Sequence, residues 1–291
     1  MLDYPTALGL TKYLSNEREL APWEVALNEI GYMSSVLYYT DVYPSLVGYE
    51  KQLASDLYEE FGWEDEGNLN KKLLRAQIIG LACRAGISDC LETAGSKFLA
   101  WKNEGTVVAP NLRSLVYKYG MKTEGNQEIW DWMLAKYKSE ANAQEKVKLM
   151  LGLASINDPD ILYNFIQIGK DESVVRSQDF FTLLTYVSSN RIGEPIVWDF
   201  FRNEWEYLVE RFTLNDRYLG KMIATVTERF ATQQRLDEME AFFAKYPEAG
   251  AGEAYRKIAL DTVNTNIKFV ANYSEVIKQW LDENTSKKAS V

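Results

Sequence analysis

An all-α fold, an α-solenoid of degenerate HEAT/ARM-like helical hairpins, is what this sequence predicts, and three observations predict it. From Pro22 almost to the end the chain repeats one unit, roughly 12 to 18 residues with apolar positions at helical spacing and then a short break at Pro, Gly, Asn or Asp. Strand signals are scarce, since VVA before Pro110 is too short to matter. Sequential helices on short links pack as antiparallel neighbours, which gives stacked hairpins, and the lack of an internal consensus of fixed period makes the repeats degenerate.

The elements follow in order, roughly a dozen of them. PWEVALNEIGYMSSVLYYT starts with Pro22 in a first turn, where the missing N–H costs nothing, and PSLVGYEKQLASDLYEEFG runs from Pro44 to a closing Gly62. Asn68 can cap NKKLLRAQIIGLACRAG, and Asp89 can start DCLETAGSKFLAWK. Pro110 opens PNLRSLVYKYG, in which Leu112, Leu115, Val116 and Tyr119 share a face. The pattern continues through NQEIWDWMLAKYKS, AQEKVKLMLGLAS, DPDILYNFIQIG, SQDFFTLLTYVSS and EPIVWDFFRNEWEYLVERF. RYLGKMIATVTERF, QRLDEMEAFFAKYP and a long segment from about Glu253 to Leu281 complete it. No low-complexity stretch divides the chain, so residues 1–291 read as a single domain with a polar, frayed tail at 282–291.

Composition removes several function classes. The chain has 42 acidic and 32 basic residues, a formal charge of -10, so its field repels a polyanion and nucleic acid is not an expected partner. No run approaches the roughly 18 apolar residues of a spanning helix, and MLDYPTALG lacks the basic and apolar regions of a signal peptide, so the chain taken alone reads as soluble. There is no histidine. His-Glu-x-x-His zinc sites, Ser-His-Asp triads and Cys-His pairs all need an imidazole, so none can be assembled here, and no catalytic or metal-binding residue is assigned.

Four features could carry more than packing. Gly250-Ala251-Gly252 precedes a helix start, but a dinucleotide fingerprint needs a strand before it and a third glycine, so the pair reads as a joint between helices. Cys83 and Cys90 would stand about 10 Å apart along one straight helix, too far for a bridge. A fold-back at Ala85-Gly86-Ile87-Ser88-Asp89 would bring them together, so two buried thiols and a disulfide both stand. Asn272-Tyr273-Ser274 and Asn284-Thr285-Ser286 are N-glycosylation sequons. The aromatic clusters at Trp130 and Trp132, at Trp198, Phe200, Phe201 and Trp205, and at Phe242-Phe243 read as inter-repeat packing.

Two arginines differ in setting. Arg113 sits among apolar neighbours and should pair with a carboxylate or cap carbonyls. Arg217 follows the helix start Leu214-Asn215-Asp216, where the helix dipole opposes a cation, and such a placement suggests a role outside its own helix. A solvated surface arginine is the plain alternative.

LDYPTALGLTKYLSNERELAPWEVA, NLRSLVYKYG, QEKVKLMLGLAS, SQDFFTLL, VWDFFRNEWEYLVERF and FFAKYPEAGAG, in this order and spacing, resemble the C-terminal domain of the zinc aminopeptidases related to aminopeptidase N. The resemblance covers essentially the whole chain and is most similar to the glutamyl branch at TLNDRYLG and FFAKYPEAGAGE. It implies a helical bowl that follows a catalytic domain and a small β-sandwich domain, neither of them in this chain. The bowl would cap the active-site cavity, shape peptide access and support folding. Zinc would be held only in the full-length enzyme, by His-Glu-x-x-His upstream of Met1. The implied partners are that catalytic domain, peptides with an acidic N-terminal residue, and a second copy in a homodimer. The implied setting is the extracellular face of the plasma membrane, in a type II membrane ectoenzyme. Cys83 and Cys90 match the spacing of a disulfide in these ectoenzymes, and Arg217 matches the arginine that glutamyl-type members present to the substrate's acidic side chain. Glu204 departs from the family pattern, which carries Asn before the Trp. The rival is a free-standing helical-repeat scaffold binding a protein partner.

Overall fold

The computed structural model describes residues 3–285, and among them every regular element is a helix. The sequence reading starts its helices at Pro22, but two elements precede it. Helix α1 (Tyr4–Thr11) is capped by Asp3, whose Oδ1 accepts from the Thr6 N–H at 2.8 Å, and it carries Pro5 in its first turn. A 3₁₀ turn (Lys12–Asn16) follows. At eight residues with Gly9 inside it, α1 is too short to show a periodic signal.

Helix α2 (Leu20–Val36) holds Pro22 in its first turn and stops short of the predicted Thr40. Helix α3 (Tyr43–Phe61) closes at Gly62, whose φ of 53° is in the region that favours glycine. Helix α4 (Leu69–Arg84) is capped by Asn68, which accepts from the Lys71 N–H at 2.9 Å. Helix α5 (Ser88–Glu104) corrects one reading. It starts at Ser88 after Ile87, so Asp89 is a first-turn residue and not the cap, and its carboxylate accepts from the Tyr58 hydroxyl instead. A first-turn carboxylate still suits the positive end of the helix dipole.

Helix α6 (Arg113–Glu124) follows the Pro110 turn, and Leu112, Val116 and Tyr119 are buried while Leu115 is only partly so. Helices α7 (Gln127–Ser139), α8 (Ala143–Leu153) and α9 (Pro159–Gly169) each begin after an Asn or Asp that accepts backbone N–H groups: Asn126, Asn142 and Asp158. Helix α10 (Ser177–Ser189) follows. The predicted single segment after it is two helices, α11 (Gly193–Asn203) and α12 (Trp205–Phe212), broken at Glu204. The apolar phase runs unshifted from Trp198 and Phe201 to Trp205 and Leu208, so the periodicity carries no sign of the break. Lys170 holds the Glu204 carboxylate from outside at 3.1 Å. Helices α13 (Arg217–Thr227) and α14 (Gln233–Lys245), a 3₁₀ turn (Gly250–Gly252) and α15 (Glu253–Asn284) complete the chain. Helix α15 includes Asp282–Asn284, which the sequence assigns to a frayed tail; the rest of that tail from residue 286 lies outside the described residues.

The helices gather into two compact units. The first takes residues up to Leu115 together with those from Lys268 onward. In it α3 packs along α4, burying Tyr49, Leu53, Leu57, Leu74 and Ile78, and Trp23 of α2 is fully buried. Glu50 is 1% exposed there, accepts from the Ser34 hydroxyl at 2.5 Å and pairs with Arg84 at 3.1 Å, which satisfies the charge that burial would otherwise penalise. The second unit is Val116–Ile267. Here α7 packs on α8, α9 on α10 and α10 on α11, and helices two apart also touch, α8 with α10 and α9 with α11. Contact with both the next helix and the next but one is the packing of stacked helical hairpins.

Candidate functional site

The site forms at the start of α13, in the second unit. Asp216 caps this helix through an Oδ1 that accepts from the Leu219 N–H at 2.8 Å. Thr213, three residues before the cap, has φ 66°, the one non-glycine residue with positive φ among the described residues. For a β-branched side chain that conformation costs on the order of 1–3 kcal/mol, which the surrounding contacts must offset.

Those contacts come from the far end of the sequence. Ala251 N–H donates to the Leu214 carbonyl at 2.9 Å, and the 3₁₀ turn lies so close to α13 that a Cβ on Gly220 would stand 2.8 Å from the Gly252 Cα. Gly250 has φ 52°, and a Cβ there would meet the Leu214 carbonyl oxygen at 2.3 Å. The glycine pair therefore has two roles in the joint: Gly250 supplies the backbone conformation, and Gly252 with Gly220 permits the approach. The reading of Gly250-Ala251-Gly252 as a joint holds, and the structure adds which helix it joins to.

Behind the turn, Arg256 of α15 is buried and donates to the carbonyls of Tyr246 at 2.5 Å and Glu248 at 3.3 Å, with its guanidinium 4.9 Å from the Phe243 ring. Burial pulls this guanidinium below its usual pKa. The other end of α13 is fixed by Asn266, 1% exposed, which donates to the carbonyls of Glu228 and Phe230, both at 2.9 Å. The start of α13 is thus held by the backbone of the 3₁₀ turn, which Arg256 braces from behind, and its other end by the Asn266 side chain of α15.

Arg217, the first residue of this helix, is exposed. Of the twelve arginines, all of them described, it alone makes no hydrogen bond, ion pair or cation–π contact. The other eleven are engaged with carboxylates, carbonyls or hydroxyls, among them Arg18 with Glu60, Arg84 with Glu50, Arg176 with Asp179 and Arg229 with Glu194. Arg113 meets its expectation by donating to the Val108 carbonyl at 3.0 Å.

The other predicted residues lie elsewhere. Cys83 and Cys90 form a disulfide in the first unit, with Cα atoms 5.2 Å apart and both side chains buried, so the fold-back at Gly86 (φ 76°) is the conformation adopted. Asn272 is exposed on α15, whereas Asn284 donates to the Trp280 carbonyl at 2.7 Å and accepts from Lys12 at 2.5 Å. The aromatic clusters pack as layers: Phe242 meets Trp198, Phe201, Trp205 and Tyr246 with ring centroids 5.3 to 6.4 Å apart. A groove of about 490 Å³ beside them is walled by Trp205, Val209, Leu214 and Tyr246. In the first unit an apolar groove of about 700 Å³ runs between α1 and α2, with Leu10, Tyr13 and Val25 exposed along it. The described residues hold no cluster of three His, Cys, Asp or Glu fit for a metal ion, and no helix among them is long and apolar enough to cross a membrane. Sequence reasoning missed Thr213, Gly220, Arg256 and Asn266. Only Gly220 left a trace, as a glycine inside a helix among residues that otherwise favour one.

Comparison with known proteins gives a consistent answer. The family model for the ERAP1-like C-terminal domain matches residues 1–265. Glutamyl aminopeptidase of Rattus norvegicus is 39% identical over 281 residues, 96% of this chain and 30% of that protein. Glutamyl aminopeptidase of Homo sapiens is 40% identical over 282 residues, 96% of this chain and 29% of that protein. Endoplasmic reticulum aminopeptidase 1 of Mus musculus is 30% identical over 287 residues, 97% of this chain and 30% of that protein. The chain spans about 30% of the length of the curated relatives it matches.

Proposed function

This chain belongs to the ERAP1-like C-terminal domain family, and on that footing we propose that it is the non-catalytic C-terminal domain of a glutamyl-type zinc aminopeptidase, shaping peptide access and presenting Arg217 to acidic N-terminal residues. The observation that carries the reading is the unpartnered state of Arg217. It stands at the helix end where the dipole disfavours a cation, and its helix is anchored by buried groups while its guanidinium is bound to nothing. A rigidly mounted, unpaired guanidinium suits bidentate recognition of a carboxylate that arrives from outside.

The described residues offer no donor set that fits a catalytic zinc ion, and the chain has no histidine to supply one. In the complete enzyme the metal would activate the water that attacks the first peptide bond, while this domain contributes walls and charge. It would cover the active-site cavity, pack against the catalytic domain and support its folding. The Cys83–Cys90 disulfide favours an oxidising compartment, in keeping with an ectoenzyme at the extracellular face of the plasma membrane. Asn272 and Asn284 are its glycan acceptors, and a homodimer is the proposed assembly.

Arg217→Ala in the complete enzyme tests this. A hydrogen bond to a charged group contributes about 1.5–3 kcal/mol, so kcat/KM for an N-terminal glutamyl substrate should fall by roughly 10- to 100-fold relative to an alanyl one. An unchanged ratio would remove Arg217 from specificity. In the coding sequence upstream of Met1, an in-frame His-Glu-x-x-His segment supports the aminopeptidase reading, and a genuine start site at Met1 supports the free-standing scaffold.

A further inference from the structure

We propose that Lys221 is a second specificity-determining cation, forming with Arg217 a two-pronged clasp for the side-chain carboxylate of a peptide's first residue. The inference rests on the reading of Arg217 given above and extends it to a residue on the next turn.

At about 100° per residue, α13 turns Leu219, Gly220, Met222, Ile223, Val226 and Thr227 inward, where all are buried. The opposite stripe carries Arg217, Tyr218 and Lys221, all exposed, and then the partly exposed Ala224 and Thr225. Arg217 and Lys221 are four residues apart, so they lie one above the other with Cβ atoms about 5–6 Å apart, close enough for both heads to reach one carboxylate.

Neither head is neutralised from within the described residues. The Lys221 ammonium, like the Arg217 guanidinium, makes no hydrogen bond, ion pair or cation–π contact; the Lys221 backbone carbonyl accepts from the Thr225 hydroxyl. Residues 217–227 contain no acidic side chain. Asp216 is committed to the Leu219 N–H, and Glu228 pairs with Arg229 at 3.1 Å. Glu253, next to the turn that packs on Gly220, is held by Lys257 at 3.1 Å.

Two like charges on adjacent turns repel, and this helix gains nothing from them by itself. Two lysines of α15 show the opposite arrangement: Lys257 has Glu253 four residues before it, and Lys278 has Asp282 four residues after it. In a chain of net charge -10, a carboxylate-free stripe with two unpaired cations on consecutive turns is a place prepared for an anion from outside. A carboxylate set between them converts the repulsion into two attractions. The guanidinium supplies a planar fork and the ammonium a compact point charge.

The test uses the complete enzyme and compares substrates with N-terminal glutamate and N-terminal alanine. Lys221→Ala should lower the glutamate-to-alanine ratio of kcat/KM by about 5- to 10-fold, mostly through KM, and should flatten its dependence on salt. Lys221→Arg should restore most of the ratio, a recovery that a merely structural role for the side chain would not produce. If Arg217→Ala lowers the ratio and Lys221→Ala leaves it and its salt dependence at the parent values, the clasp is wrong and the Arg217 reading stands. If neither variant moves the ratio, both fall. Because Lys221 is exposed and unpaired, thermal unfolding of its variants should match the parent, which separates a lost contact from a lost fold.

Discussion

Replacing Gly220 by alanine tests how α13 is held. A Cβ at this position would stand 2.8 Å from the Gly252 Cα, 2.9 Å from its N and 3.0 Å from the Ala251 carbonyl carbon. All three are backbone atoms, so the helix and the turn must separate by several tenths of an ångström. Forcing a methyl into such a contact costs about 1–3 kcal/mol. Alanine also has an intrinsic advantage over glycine inside a helix of up to about 1 kcal/mol, which offsets part of that cost. Gly31, inside α2, serves as the control, because a Cβ there meets nothing within 4 Å and only the propensity gain applies. Urea unfolding of the isolated chain should therefore find Gly31→Ala more stable than the parent by about 0.5–1 kcal/mol and Gly220→Ala less stable, with a gap of about 1–3 kcal/mol between the two. If Gly220→Ala were as stabilising as Gly31→Ala, the close approach that fixes the start of α13 would not exist. In the complete enzyme the same variant should also weaken the glutamyl preference, since Arg217 moves with its helix.

Other outcomes follow from buried groups. Tyr58 and Tyr137 are both pushed up to about 12, Tyr58 by burial and its hydrogen bond to Asp89, Tyr137 by burial and the charge of Asp179. The folded values lie above the unfolded value of about 10, so the folded state keeps protons that the unfolded chain releases. This stabilisation is complete below pH 10 and is lost as pH rises from 10 to 12, by about 1–2 kcal/mol per tyrosine once solvent screening is allowed for; chemical denaturation across that range should show the slope, and tyrosinate absorbance at 295 nm should lag for these two and for Tyr4, Tyr32, Tyr49 and Tyr186, which burial also pushes up. The Cys83–Cys90 bridge closes a loop with a separation of 7 residues, so replacing both cysteines with alanine should lower stability by about 2–3 kcal/mol in a denaturant titration. Glu194, 3% exposed, pairs with Arg229 at 2.9 Å, and Arg229 also donates to the Ser188 carbonyl. Glu194→Ala should cost roughly 2–4 kcal/mol by stranding that guanidinium, with Glu194→Gln intermediate, as calorimetry can read.

The all-α class, most helix starts and the family were legible in the sequence, because they rest on local information. Asn68, Asn126, Asn142, Asp158 and Asp216 cap helices through their own neighbours a few residues on, and the glycine at 62 closes a helix by its own φ. The missing histidine excluded a catalytic imidazole without any structure. What stayed hidden depends on residues far apart along the chain. The break at Glu204 leaves the apolar phase intact, and α5 starts after Ile87 with no side-chain cap while the Asp89 carboxylate turns to Tyr58, 31 residues away. Arg217 could be singled out by its place in the helix dipole, but its lack of any partner, the feature that makes it a candidate, is a statement about every other side chain around it. Sequence by itself determined the helices and their likeness to a family, since hydrogen bonds within a helix and the period of its apolar face are short-range. Only the tertiary structure decided that Gly220 with Gly252 and Asn266 hold α13 at its two ends, because close packing and carbonyl capping join segments more than 30 residues apart.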